Sequence, residues 1–158
     1  MRKKRKYKRE HQSDVKYNNV AVCRFINYLM ERGKKSLAET ICYQAFESIF
    51  KKTDQEPLEV FNKAIENASP LLEVVSKRIG GANYQVPREV RPERRFFLAC
   101  RWIIKAAHST KGKPMAEKLA EEIILASKNE GAAIKKKQTV HRMAEANRAF
   151  ARFARQRR

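Results

Sequence analysis

Cysteine, histidine and long apolar runs are all scarce in this chain, and each scarcity closes a class of function. Of 158 residues only three are cysteine, Cys23, Cys42 and Cys100, and no two stand at metal-ligand or redox-pair spacing. Each falls among apolar residues of an expected helix, where a reduced thiol acts as a small hydrophobe, as suits a reducing compartment. The three histidines, His11, His108 and His141, are scattered. The stretch "HRMAE" from His141 to Glu145 lacks the second histidine of a zinc-protease helix, so a local hydrogen bond between those two residues is expected rather than a metal site. Asp54, Glu56 and Glu59 cluster where acids suit a helix start, without any magnesium role. No phosphate loop and no G-x-S-x-G elbow occurs, and neither cofactor nor metal is expected. No apolar run approaches the 18 or so residues of a membrane span, and the N-terminus has no apolar stretch like that of a signal peptide.

Acid is also in short supply. Lys and Arg number 36 against 17 Asp and Glu, a formal net charge of +19. A chain so charged repels itself and gains by neutralising a polyanion. The surplus sits at the ends: residues 1–10 carry net +6, residues 135–158 net +8, and the long middle only +5. The basic N-terminal segment has no amphipathic face for a lipid surface, so nucleic acid is the expected partner and membrane is not.

Hydrophobic residues make up 42% of the chain, enough for the core of one ordinary domain. Residues 1–17 are too polar to order themselves and read as a disordered basic tail, as do 154–158, with a helical domain over 18–153. A helical period places Val22, Phe25, Ile26, Leu29 and Met30 on one face, ending at Gly33. "SLAE" from Ser36 has capping-box spacing, and the helix after it is expected to turn Leu37, Ile41, Ala45, Phe46 and Ile49 inward. Pro57 suits the first turn of a third helix striped by Leu58, Phe61, Ile65 and Ala68. Pro92 opens a fourth with Phe96, Phe97, Cys100, Ile103, Ile104 and Ala107. Lys113-Pro114 opens a fifth with Met115, Leu119, Ile123 and Ala126, stopped near Gly131. "AAIKKKQ" reads as a link to a last helix from about Thr139, carrying Val140, Met143, Ala144 and Phe150. The fold class is thus mainly α: about six helices, a protruding two-stranded β-hairpin and basic disordered ends.

The hairpin is the exception in the helical pattern. "LLEVVSKRI" is β-branched and tends to alternate, Gly80-Gly81 permits positive φ, and "NYQVPREV" runs extended, giving a hairpin over about 72–90. Pro87 cannot donate to a ladder and so marks an edge strand. An isolated two-stranded ribbon is marginally stable in water, so this one is expected to make few contacts with the helical core and to need a partner surface. From Lys77 to Arg95 it holds six basic residues. A narrow ribbon with such a base can enter a groove and clamp phosphates, with Tyr84 able to stack and Asn83 and Gln85 able to reach base edges. These features fit either an RNA-bound structural protein, monomeric when free, or a free-standing nucleic-acid-binding regulator, which should dimerise. A nuclease is a remoter third.

Five stretches carry a family resemblance: "RGKKSLAE" (Arg32 to Glu39), "KRIGGANYQVPREVRPERR" (Lys77 to Arg95), "RWIIKAA" (Arg101 to Ala107), "KPMAEKLAEE" (Lys113 to Glu122) and "KKKQTVHRMAEANRAF" (Lys135 to Phe150). Together they resemble the bacterial form of small ribosomal subunit protein seven, over about residues 15–153. The resemblance implies a structural, non-enzymatic protein of the small ribosomal subunit in the cytoplasm; an organelle-encoded origin stays open. It implies binding to the 3′ major domain of small-subunit rRNA and nucleation of head assembly. It also implies a hairpin near exit-site tRNA and the mRNA exit path, with head proteins and the eleventh small-subunit protein as neighbours. The implied rRNA-binding residues are Lys34, Lys35, Lys77, Arg78, Arg91, Arg94, Arg95, Lys135, Lys136, Lys137 and Arg142. The basic tail adds Arg2, Lys3, Lys4, Arg5, Lys6, Lys8 and Arg9. Gly80, Gly81, Ala82, Asn83, Tyr84 and Gln85 match the tip that faces tRNA and mRNA. The chain departs from the family pattern at Leu37, at Gln138 and Thr139, in an N-terminal tail without Pro-Asp-Pro, and in its ending "ARFARQRR".

Overall fold

A computed structural model describes residues 12–154; the tail candidates Arg2, Lys3, Lys4, Arg5, Lys6, Lys8 and Arg9, and residues 155–158, lie outside the described residues. The chain divides into two compact units, Met1–Thr40 and Ile41–Arg158. Six α-helices and one hairpin follow in order: α1 Val20–Leu29, α2 Lys35–Thr53, α3 Pro57–Ala68, β1 Leu72–Ile79, β2 Ala82–Glu89, α4 Pro92–Ser109, α5 Met115–Ser127 and α6 Ala132–Ala146. A short 3-10 helix, Arg148–Ala154, closes the described chain. The expected mainly helical fold with a single two-stranded ribbon is present.

In the first unit a turn at 15–17 precedes α1. The Asp14 carboxylate accepts from the Lys16 and Tyr17 amides at 3.1 and 3.0 Å, so local structure begins ahead of the expected start at Asn18. Asn19 caps α1 by accepting from the Ala21 amide at 2.7 Å, and Val22, Phe25, Ile26 and Leu29 are buried as their spacing requires. The expected capping box does not form. α2 starts at Lys35, so Ser36 lies inside the first turn and Glu39 faces Lys35 at 3.7 Å. The inward stripe of α2 holds at Ala45, Phe46 and Ile49, which are fully buried, and departs from expectation only towards its start. Ala38 and Cys42 are buried, whereas Leu37 is 53% exposed.

In the second unit the Phe46 and Phe61 rings meet at 5.6 Å, tilted by 52°. α3, α4, α5 and α6 pack against one another, burying Val60, Phe61, Ala64 and Ile65 of α3, Ile103 of α4, and Leu119 and Ile123 of α5. Asn67 ties two of these helix ends. Its side-chain amide donates to the Ala126 and Ser127 carbonyls at 3.0 and 2.9 Å, in the last turn of α5, where carbonyls lack the amides of a following helical turn. On the outer face, Glu121 receives both Lys52 and Lys113, at 3.1 and 2.5 Å, and the two ammoniums hold its carboxyl below the ordinary carboxylate range.

The expected link at "AAIKKKQ" is helical. α5 ends in a Schellman turn in which Asn129 (φ 62°) takes the left-handed position and the Glu130 amide donates to the Leu125 carbonyl at 2.9 Å. α6 begins directly afterwards, at Ala132. Alanine, lysine and glutamine are strong helix formers, so nothing in that stretch interrupts the helix. Its start is capped from outside: buried Glu122 of α5 accepts from the Ala133 amide at 2.8 Å. An anion at a helix N-terminus satisfies an orphan donor and suits the helix dipole. Gly131 permits this approach. Its backbone (φ 93°, ψ 175°) is one that essentially only glycine enters, and an added β-carbon would sit 2.8 Å from the Glu122 Oε1.

The two strands pair antiparallel from Ile79↔Ala82 to Leu72↔Glu89, closed by a two-residue turn with positive φ at both Gly80 (56°) and Gly81 (92°). The tip stands clear, with Arg78 and Gly80 to Asn83 exposed. The rest of the ribbon is seated more firmly than expected. β1 and β2 both lie on α6, and β2 lies on the 3-10 helix. Val86 and Pro87 are buried there. Pro87 thus sits on an edge strand, as its missing N–H requires, with its ring against the helical body.

Gly131→Ala is expected to lose about 1–3 kcal/mol from backbone strain, with a further loss because the β-carbon displaces the Glu122 cap. Gly112→Ala is the control, since Gly112 has φ 85° and open space around it. Urea unfolding of the two variants should show the larger loss at Gly131.

Candidate nucleic-acid interface

At the base of the hairpin, a set of arginines is held in place. Pro92 fixes the first turn of α4 and Arg91, exposed, stands at its N-cap in extended conformation. Arg94 and Arg95 therefore fall in the first turn, where the helix dipole disfavours cations. Their presence there has a compensating cause. Buried Glu73 of β1 takes Arg94 Nε on Oε2 at 3.4 Å and Arg88 on Oε1, with Nη2 at 2.6 Å and Nε at 2.8 Å. Arg95 donates its Nε to the Val90 carbonyl at 2.9 Å. The Phe97 ring lies under the guanidiniums of Arg94 and Arg101, at 5.0 and 5.8 Å. Glu73, Arg88 and Arg101 were not among the candidates from sequence. The first two were within reach of it: a two-residue turn at Gly80-Gly81 sets the register, and counting back from it pairs residue 73 with residue 88.

α6 supplies a second set. Lys135, Lys136 and Arg142 are exposed along it. Lys137 is half-buried and donates its ammonium to the Asn67 carbonyl at 2.6 Å; burial lowers its pKa from the ordinary lysine value. Of the three consecutive lysines, this one acts as a tie between α6 and α3. One turn further on, His141 accepts at Nε2 from the Leu71 amide at 3.2 Å, just ahead of β1. This is a long-range bond in place of the expected local one to Glu145. Burial lowers the His141 pKa, the Lys137 charge lowers it further, and Glu145 acts in the opposite sense.

The hairpin arms engage the 3-10 helix. The Tyr84 ring lies 4.8 Å from the Phe150 ring, and Lys77 donates to the Phe153 carbonyl at 2.7 Å. Gln85 donates across the strands to the Ser76 hydroxyl at 2.9 Å. One face of Tyr84 is therefore occupied by the protein. A groove lined by Leu72, Pro87, Ala144 and Ala151 also carries Arg88, Arg148, Glu89 and Glu145, a balanced charge that does not favour a polyanion. In the first unit Lys34 and Lys35 are exposed at the start of α2. Among the described residues no group of three or more His, Cys, Asp or Glu could hold a metal ion, and no helix is long and apolar enough to cross a membrane.

The model of the family "Ribosomal protein S7p/S5e" matches residues 1–148. The chain belongs to this family. Among curated relatives, it is 55% identical to small ribosomal subunit protein uS7 of Thermotoga maritima over 97% of this chain and 99% of that protein. It is 56% identical to the uS7 of Caldanaerobacter subterraneus over 92% of this chain and 94% of the relative. The uS7 of Chloroflexus aggregans is 56% identical over 90% of each chain. The resemblance carried by the five motifs is thus that of the whole S7p/S5e chain.

The His141 bond makes hairpin seating sensitive to pH. An unfolded histidine titrates near about 6.5 and the folded pKa is lower, so the unfolded chain takes up the extra proton first. The contribution is present above about pH 6.5 and is lost as pH falls through the folded value. Protonation also removes the Nε2 acceptor for Leu71. His141→Gln keeps an acceptor without titrating. Chemical unfolding of both proteins between pH 7.5 and 5 should show a steeper loss in the wild type; parallel curves would contradict the assignment.

Proposed function

We propose that the chain is a structural, non-catalytic component of the small ribosomal subunit that binds the 3′ major domain of small-subunit rRNA and nucleates assembly of the head. Its hairpin tip, Gly80 to Gln85, faces exit-site tRNA and the path of the mRNA. Head proteins and the eleventh small-subunit protein are its neighbours, it is monomeric when free, and it acts in the cytoplasm. The observation that carries this reading is the arginine set held at the hairpin base beside a helix of exposed lysines, in a chain of the S7p/S5e family. Immobilised guanidinium forks suit phosphates of a folded RNA better than a flexible charge run does.

The rRNA contacts proposed are Arg78, Arg91, Arg94, Arg95, Lys135, Lys136 and Arg142 in the second unit, with Lys34 and Lys35 in the first. Lys77 and Lys137 remain in the set, but their ammoniums already hold protein carbonyls and contribute mainly through field. Arg88, exposed and held by Glu73 beside Arg94, joins the proposed set. The tip keeps Asn83 and Gly80–Gly81 for tRNA. Tyr84 offers stacking only on the face that Phe150 leaves open.

Neutralising six to ten phosphates makes affinity for an rRNA fragment of the 3′ major domain fall by about 10³–10⁵ between roughly 50 and 200 mM salt. Replacing Lys135 and Lys136 with glutamine should flatten the log–log salt slope by about two phosphate contacts. Lys137→Met should lower the melting temperature and leave the slope nearly unchanged. Fluorescence anisotropy across a salt series measures the slope, and a double variant with the wild-type slope takes α6 out of the interface. Shortening the tip while keeping Tyr84 should leave the melting temperature unchanged and weaken exit-site tRNA retention on reconstituted ribosomes. Tyr84→Ala should lower melting through loss of the Phe150 contact, worth about 0.5–1.5 kcal/mol beyond buried area.

A further inference from the structure

Glu73 is an acid at the centre of a basic surface, and its burial is unusual for such a residue. Its side chain is 10% exposed, while the arginine side chains it holds, Arg88 and Arg94, are 54% and 48% exposed. The acid lies inside and the two forks lie outside. A carboxylate that merely diluted surface charge would gain nothing from burial, because desolvation offsets most of the attraction within a buried pair. What a buried carboxylate does provide is orientation. Each of its oxygens takes a different arginine, Oε1 for Arg88 and Oε2 for Arg94. Arg94 is fixed further by the Phe97 ring, and Arg95 by the Val90 carbonyl. Arg94 and Arg95 are both held through Nε, and among the described residues their terminal nitrogens have no hydrogen-bond partner.

We infer that Glu73 is a specificity-determining positioning residue: by fixing Arg88 and Arg94 it makes the hairpin base select RNA whose phosphates match a set geometry, at the expense of affinity for RNA in general. This rests on the rRNA-binding reading above and deepens it. A loose arginine attracts any phosphate, paying side-chain entropy each time it is ordered. A fixed fork pays that entropy on folding, so it favours a matched pair of phosphates and gives little to a mismatched one. The acid also lowers the local positive field, which weakens non-specific attraction directly.

The two effects separate in one experiment. Wild-type protein, Glu73→Gln and Arg94→Lys are titrated by fluorescence anisotropy, at one salt concentration, against two RNAs. One is the 3′ major domain fragment of small-subunit rRNA; the other is the same length with its sequence scrambled. Glu73→Gln should bind the scrambled RNA about twofold to threefold more tightly, as one added positive charge implies. It should bind the rRNA fragment about tenfold more weakly, the scale of one lost bidentate contact. Arg94→Lys keeps the charge and removes the fork. It should leave scrambled binding unchanged and weaken the fragment by a similar factor. A merely structural role for Glu73 would reduce the folded fraction and move both affinities in the same direction, which overturns the inference. So does an Arg94→Lys protein that binds both RNAs as the wild type does. This variant serves as the test if Glu73→Gln does not fold. A wild type with no preference for the fragment defeats the rRNA-binding reading itself, a result distinct from retained discrimination in Glu73→Gln.

Discussion

The bond from the Glu122 carboxylate to the Ala133 amide decides where α6 begins, and most of what matters in the second unit follows from where α6 lies. With α6 starting at Ala132, Lys137 meets the end of α3, His141 meets the entry to β1, and the chain beyond Ala146 returns along β2 as a 3-10 helix. Shifting the start by one residue would rotate every side chain on α6 by about 100° and separate all three ties. Gly131 is the condition for the bond, because any β-carbon at that position would meet the carboxylate. The hairpin, which alone would be marginal in water, is thereby given a surface to rest on.

With a net charge of +19, the chain has few acids to place, and the structure uses three of them as positioning devices. Glu122 caps a helix, Glu121 joins Lys52 and Lys113, and Glu73 gathers two arginines. Of these, the exposed Glu121 cluster contributes little to stability, since solvent screens it. Glu73 and Glu122 are themselves buried, so their geometry is fixed, and loss of Glu122 would leave the buried Ala133 amide without its partner. The same economy explains why cations sit in the first turn of α4 against the helix dipole: an acid one strand away offsets the cost and turns an unfavourable position into an ordered one.

Much of the architecture was legible from pattern alone. The 3.6-residue period located the helices, Pro57 and Pro92 marked the starts of α3 and α4, and Gly80-Gly81 gave the turn of the hairpin. Where reading failed, the competing effect is identifiable. Ser36 has the right spacing for a capping box, but a box would start the helix at Leu37, and it starts two residues earlier, at Lys35. Leu37 is the more hydrophobic side chain, yet packing turned the smaller Ala38 and Cys42 inward. In "AAIKKKQ" three consecutive lysines blur the amphipathic period, although the residues themselves are strong helix formers. For the candidate site, exposure of Arg91, Arg94, Lys135, Lys136 and Arg142 agrees with a role at a surface, whereas Lys137 and Tyr84 looked equivalent to their neighbours and are not.

Composition and periodicity by themselves determined that this is a basic, mainly helical chain with one glycine-turned ribbon, because charge, turn chemistry and amphipathic period are local quantities written in consecutive residues. Tertiary structure alone decided which cations stay available. Lys137 reaches a carbonyl 70 residues away, His141 an amide 70 residues away, and Arg94 a carboxylate 21 residues away. Such pairings depend on how helices and strands pack, and packing is fixed by the shapes of many side chains at once. No window of sequence contains that information, which is why a lysine that ties the body together and one that faces solvent read alike until the fold separates them.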